Sequence, residues 1–301
     1  MKEIRNVLIC GLGAIGTIYA EKIQKLSSKN LKILVDKKRL DRYLKNPIIF
    51  NGKELNFNYI LPCEKNFKAD LIIIATKYDG LFDAISNIEN FVGENTVILS
   101  LLNGITSEKY IIQRYGAEKV LYSYFIGHSA VREGRKITQD GVNKIVFGHP
   151  NVSDNIKRVK SFFDKAEINY EIPDDIIYSM WLKFMLNVSS NQTSALFGFT
   201  FKQMKQNAKC MKLILNLMQE VKTVAKAEGV KNPDKMIDDA IKIFNTMSPN
   251  GKTSMLQDIE AGRKTEVDIF AGTVCEYGQK YQIPTPYNKI IKELIEIKQE
   301  S

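Results

Sequence analysis

The 301-residue sequence holds two histidines, one tryptophan and four cysteines, and each scarcity narrows the choice of function. The cysteines (Cys10, Cys63, Cys210 and Cys275) are far apart and match no metal-ligand spacing. That argues against a disulfide frame and suits a reducing cytoplasm. His128 and His149 have no Cys or His neighbour at ligand spacing, so structural zinc is not expected. A histidine general acid would have to be one of these two. No run of about 18 apolar residues occurs, so no membrane span is expected. The chain opens Met-Lys-Glu-Ile-Arg-Asn and passes straight into an apolar run, which does not read as a signal peptide. The net charge is +9, with lysines interleaved with acids, as over 289–300. This reads first as a solvated surface; the sharper alternative is attraction of an anionic cofactor and substrate. Without a basic cluster interleaved with aromatics, nucleic acid is not an expected partner.

What is present begins at Val7-Leu8-Ile9-Cys10, an apolar run that reads as a buried parallel strand. Gly11-Leu12-Gly13-Ala14-Ile15-Gly16 follows at once, and residues 17–23 carry helical spacing. Strand, Gly-x-Gly-x-x-Gly turn and helix arrive in the order a dinucleotide-binding fingerprint needs. Gly11 suits the tight turn, Gly13 leaves room for a pyrophosphate, and Gly16 lets the helix lie close to the strand. A second strand, 31–35, ends in Asp36, twenty residues after Gly16. A carboxylate there suits the adenosine ribose of NAD. Lys37-Lys38-Arg39 follow, and these cations suit the extra phosphate of NADP.

Further strands are expected at 70–77, 95–102, 120–128, 144–148 and 168–172, with helices over 78–91, 108–116 and 156–165. Residues 41–69 read as short extended pieces around an Asn51-Gly52 hairpin turn. Lys77 and Asn103 fall at the carboxyl ends of strands, the edge where such sheets bind ligands. Lys77 reads equally well as a surface lysine, and Asn103 as a turn residue before Gly104. Pro173-Asp174-Asp175 opens a different regime; from Ile176 strand signals stop, and helices are expected over roughly 174–196, 201–228, 233–246, 252–281 and 287–299. The fold class is therefore α/β: a Rossmann-type, doubly wound parallel-sheet domain over 1–172 and an all-helical domain over 173–301.

In the first helix of the second domain, Lys183, Asn187 and Asn191 recur every four residues amid apolar neighbours. They lie along one face, about 12 Å from first to last at about 1.5 Å per residue. A lysine in such surroundings needs a partner or a wet cleft. Farther on, Ser254 stands near a helix start, where it also reads as a cap. Gly262, inside an expected helix, suggests close approach of a backbone or ligand. Glu266 follows.

At these residues the chain resembles the ketopantoate reductases (2-dehydropantoate 2-reductases) over nearly its whole length. The resemblance rests on Gly11 to Gly16, Leu102-Asn103-Gly104, Lys183-x-x-x-Asn187-x-x-x-Asn191, and Ser254-Met255-Leu256-Gln257-Asp258 with Lys264-Thr265-Glu266. It implies NADP(H)-dependent reduction of 2-dehydropantoate to (R)-pantoate, a step towards pantothenate and coenzyme A, in a cleft between the domains. Lys183 would be the general acid and Glu266 its partner carboxylate. Asn103, Asn187, Asn191 and Ser254 would hold the substrate, a small 2-keto acid. Gly11, Leu12, Gly13, Ala14, Ile15, Gly16, Asp36, Lys37, Lys77 and Asn103 would bind the cofactor. Asp36, where NADPH-using members usually carry a basic residue, makes NAD(H) an alternative. Phe199-Thr200-Phe201 stands where some members have another substrate-binding asparagine, which suits a different branched 2-keto acid. Two other readings stay open: an NAD-dependent D-2-hydroxyacid dehydrogenase for a branched or aromatic acid, and a non-catalytic NAD(P)-sensing protein. Apolar positions in the second domain serve equally as core or as a homodimer face.

Overall fold

The computed structural model describes residues 2–127 and 130–300. His128 lies outside them. The chain divides into two compact units, residues 1–176 and 177–301. Among the described residues no helix is long and apolar enough to cross a membrane.

The first unit is built on an eight-stranded sheet. Its order is Tyr170–Glu171, Asn143–Gly148, Val120–Gly127, Val92–Ser100, Ala69–Ile74, Val7–Cys10, Leu31–Leu34, Tyr59–Ile60. All pairings are parallel except that between Val120–Gly127 and Asn143–Gly148. Leu8 and Ile9, with their partners in register Ile72 and Ile73, are inaccessible to solvent, as strands covered on both faces require. Cys10 is buried in the first strand, and burial pushes its thiol up to about 12, so it behaves as a small apolar side chain. The chain order reverses at Val7–Cys10, which lies between Leu31–Leu34 and Ala69–Ile74. That switch point is where doubly wound sheets open a crevice for ligands.

Two features of this unit were not legible in the sequence. Lys37–Lys45 is a helix, not extended chain. The run of cations hides its pattern, but Asp36 caps it by accepting from the Arg39 amide at 2.6 Å, and Tyr43 is buried beneath it. The second feature is a four-stranded sheet ordered Lys53–Leu55, Ile48–Phe50, Lys136–Thr138, Val131–Glu133. Asn51-Gly52 forms its expected hairpin turn, both residues at positive φ (46° and 82°). Three-residue strands are too short to show alternation, so the segments flanking Gly134 carry little signal.

Among its described residues the second unit holds helices and no strand: 176–197, which begins at the last residue of the first unit, Phe201–Gln206, Ala208–Ala227, Met236–Thr246, Ser254–Glu260, 267–281 and Pro286–Glu300. Two expected helices are broken. Asn207 divides 201–228 because its side chain accepts from the amides of Lys209 and Cys210 and starts a new helix. The helix expected over 252–281 stops at Glu260. Gly262 adopts φ +61°, with its amide on Ile259 O at 3.0 Å and the Arg263 amide on Asp258 O at 2.8 Å. Gly262 is thus a helix-ending residue in the left-handed region. A Cβ there would meet nothing within 4 Å, so the expected close approach is absent.

Candidate active site

The candidate residues of the first unit gather at the carboxyl edge of the large sheet. Gly11 has φ +104°, and a Cβ on it would lie 2.7 Å from Ala75 C and 2.8 Å from Thr76 N. Only glycine accommodates both constraints. A Cβ on Gly16 would lie 1.9 Å from Gly11 O, so the helix Ala14–Leu26 rests directly on the turn. Gly13 differs: a Cβ there would find only Ala75 O, at 3.9 Å. Its exterior is open. Gly13 is also the N-cap, and no side chain caps that helix end. The first amides of a helix with no side-chain acceptor, an open face and a favourable dipole fit a pyrophosphate. Leu12 is buried, and Ala14 and Ile15 are packed against the core.

Asp36 and Lys37 lie at the start of the next helix, both exposed. Asp36 is engaged by Arg39 twice, through the amide and through Nη1 to Oδ2 at 2.8 Å, and Lys37 pairs with Asp41 at 3.2 Å. A carboxylate and three cations thus share one exposed edge. The strand expected to run to Lys77 ends at Ile74, and Lys77 is exposed three residues beyond it; Asn103 is half-buried before Gly104, whose φ is +91°. Beneath Asn103, Ser100 and Ser107 share a hydrogen bond of 2.7 Å and Ser107 donates to the buried Glu108 at 2.9 Å. This network ties the loop to its flanking strand and helix.

In the second unit the helix 176–197 is not uniform. Asn187–Asn191 form a π-helical turn between Ile176–Leu186 and Gln192–Phe197. A second π turn, Asp268–Gly272, opens the helix that follows Glu266. Such turns leave backbone groups without their usual partners and recur at functional sites. Here Gln192, inaccessible to solvent, serves both turns. Its Nε2 donates to Val188 O at 2.6 Å and its Oε1 accepts from the Ala271 amide at 3.2 Å. Sequence reasoning missed Gln192. Its only signal is a long amide side chain inside an otherwise apolar and small-residue run.

Lys183, Asn187 and Asn191 are half-buried, while 184–186, 188–190 and 192–195 are buried. The polar stripe is therefore narrow. Asn191 Nδ2 donates to Asn187 Oδ1 at 3.1 Å and lies 3.5 Å from Ser254 Oγ. The cap of the helix Ser254–Glu260 is Thr253, whose Oγ1 accepts from the Leu256 amide at 3.3 Å. Ser254 is left exposed on the first turn, beside the asparagines, rather than capping the helix. Glu266 is half-buried at the entry to the second π turn, four residues after Gly262. The structure thus joins Asn187, Asn191 and Ser254 by direct contact. Phe199-Thr200-Phe201 is given to packing and capping: Thr200 and Gln203 form a capping box, and Phe201 meets Phe244 edge-on at 5.8 Å.

Comparison with known proteins covers both units. Residues 7–151 match the family model "Ketopantoate reductase PanE/ApbA" and residues 175–299 match "Ketopantoate reductase PanE/ApbA C terminal". A 2-dehydropantoate 2-reductase of Streptococcus pyogenes serotype M6 is 27% identical over 301 residues, covering 97% of each chain. The solved structure of a D-mandelate dehydrogenase with NADH and anilino(oxo)acetate superposes with TM-score 0.85 at 22% identity, covering 98% of each chain. That of 2-dehydropantoate 2-reductase from Geobacter metallireducens superposes with TM-score 0.82 at 23% identity, over 97% of this chain and 99% of the other. With both of its units matched to the paired models, the chain belongs to the ketopantoate reductase family.

Proposed function

We propose that the protein is an NAD(P)H-dependent reductase that converts 2-dehydropantoate to (R)-pantoate. The observation that carries this reading is the narrow Lys183–Asn187–Asn191 stripe, with Ser254 within 3.5 Å of Asn191, in a helix otherwise buried. The bound dinucleotide supplies a hydride to C2 of the keto acid. The chain's own residues do the rest. As C2 gains the hydride, negative charge grows on its oxygen; the Lys183 ammonium stabilises that charge and donates the proton that completes the hydroxyl. Glu266 would fix the position of the ammonium. Asn187, Asn191, Ser254 and Asn103 hold the carboxylate and hydroxyl of the substrate through neutral donors and acceptors, which orient it without competing for the proton. Gly11 to Gly16 cradle the pyrophosphate, with Asp36, Lys37 and Lys77 along the nucleotide. The Arg39 grip on Asp36 partly offsets the carboxylate that would repel a 2′-phosphate, so both NADPH and NADH are proposed as donors.

One observation favours a second reading, an NAD-linked D-2-hydroxyacid dehydrogenase for a larger branched or aromatic acid. Thr200 is spent on its capping box, and the aromatic pair Phe197–Phe199, 5.6 Å apart, flanks it. Initial rates with ketopantoate and a panel of branched and aromatic 2-keto acids, each with NADPH and NADH, separate the two. The first reading expects the highest kcat/KM on ketopantoate. A preference for another acid by tenfold or more would replace it with the second, and no turnover with any acid despite NAD(P)H binding would leave a sensor.

A further inference from the structure

We infer that Arg132, outside every motif of the nucleotide site, is a positioning residue for the glycine turn and brings a counter-charge to the dinucleotide's phosphates. The inference rests on the proposal that the turn holds NAD(P)H. Arg132 lies on Val131–Glu133 of the small sheet and stands directly across from Ile137 in the antiparallel pairing. Opposed residues in such a pair project from the same face. Ile137 is 1% exposed and belongs to the same core cluster as Leu12. Arg132 therefore projects on the covered face of its hairpin, a costly place for a cation without a purpose.

Its contacts show where the guanidinium goes. Nη1 donates to Leu12 O, inside the glycine turn, and Nε donates to Gly134 O at 3.0 Å. Both acceptors are neutral carbonyls. Among the described residues no carboxylate forms an ion pair with Arg132, so its charge is not cancelled locally. The Leu12 carbonyl and the Gly13 N–H belong to one trans peptide and point in opposite directions. Holding the carbonyl fixes the direction of that N–H. A cation on the carbonyl also polarises the peptide and makes the N–H a stronger donor. Gly13 is the turn residue whose outer face is open. The small sheet thus braces the turn from behind, and its arginine adds positive charge one peptide away from the phosphate site.

Fluorescence titration of the full chain with NADH, and competition by ADP and by adenosine, tests this. Arg132→Ala is expected to raise the Kd for NADH and ADP about tenfold or more, the usual scale for a charged hydrogen bond, and to leave adenosine binding within twofold. Arg132→Lys is expected to recover part of the loss, and kcat at saturating NADH is expected to hold. Arg132→Gln replaces the alanine variant if that fails to fold, as judged by its melting curve. An NADH Kd within twofold of wild type in Arg132→Ala or Arg132→Gln, or an equal loss for adenosine, would overturn the inference. Wild-type protein that bound neither NADH nor NADPH would instead remove the dinucleotide reading, before any variant is compared.

Discussion

In the first unit the candidate residues centre on glycines and the backbone between them, with Asp36, Lys37, Lys77 and Asn103 beside them. Gly11 sits at φ +104°, and Gly16 would drive a Cβ to 1.9 Å from Gly11 O. In the second unit they are a lysine, two asparagines, a serine and a glutamate, with one π turn at the asparagines and another just after Glu266. In the proposed site one unit would offer mainly backbone amides, the other mainly side chains. A backbone cradle depends on what cannot be added, and a side-chain constellation depends on what cannot be removed. The two halves should therefore fail differently when mutated: nucleotide affinity should go with the first and turnover with the second.

Lys183→Ala is the sharpest way to break that division. As the proposed acid, its loss should lower kcat about 10²- to 10⁴-fold, while NADH binds within twofold of wild type. Turnover close to wild type would end the acid assignment. A parallel loss of NADH affinity would show that the helical unit also holds the nucleotide. Gly16→Ala is the reverse probe. The added methyl must displace either the helix Ala14–Leu26 or the turn, an overpacking cost of about 1–3 kcal/mol. The expected result is an NADH Kd raised about ten- to a hundredfold, with a lower melting temperature and little change in kcat at saturation.

The same contrast explains what the sequence did and did not disclose. A glycine that must avoid a clash leaves a mark, because no other residue serves, and the order strand, turn, helix repeats that mark in three forms. The Lys-Asn-Asn stripe was legible for a similar reason: polar side chains at four-residue spacing stand out against Met185, Leu186 and Val188. The π turns were not legible. An extra residue in a helical turn changes hydrogen bonding, not composition, and Asn187 still reaches Asn191 across it. Nor was the break at Gly262, since a single glycine is as compatible with a tolerated interior position as with a helix end. The helix Lys37–Lys45 was hidden by its charges, and the small sheet by strands three residues long. The missed parts divide in two: the small sheet and the tie between the π turns rest on long-range packing, whereas the Asp36 cap and the Gly262 stop are local but leave the same residues as a surface loop or a helix interior would.

Gln192→Met sharpens the comparison inside the second unit. Methionine keeps the length and apolar bulk of the side chain but neither donates to Val188 O nor accepts from Ala271 N. Two backbone groups lose their hydrogen bonds to this side chain, at about 1 kcal/mol each. The π turns that carry Asn187 and Asn191 and follow Glu266 then lose their common tie. The expected outcome is a fall of about tenfold in kcat/KM for the keto acid, larger than that of a distant core substitution matched for melting temperature, with NADH affinity retained. An effect confined to the melting temperature would make Gln192 a packing residue alone.

The smallest expected effects fall on two adjacent residues and separate fold from function within one helical turn. Thr253 caps the helix Ser254–Glu260 through Oγ1, whereas Ser254 faces Asn191. Thr253→Ala removes a cap and should cost about 1 kcal/mol of stability. Its KM should change little, because the threonine is 4% exposed and its hydroxyl is engaged by the Leu256 amide. Ser254→Ala should do the opposite: thermal or urea melts near wild type, and a KM for the keto acid raised about threefold to tenfold by the lost hydroxyl contact. Measured side by side, an exchange of the two phenotypes would return Ser254 to the capping role that its position alone suggests, and the asparagine pair would then have to hold the substrate without it.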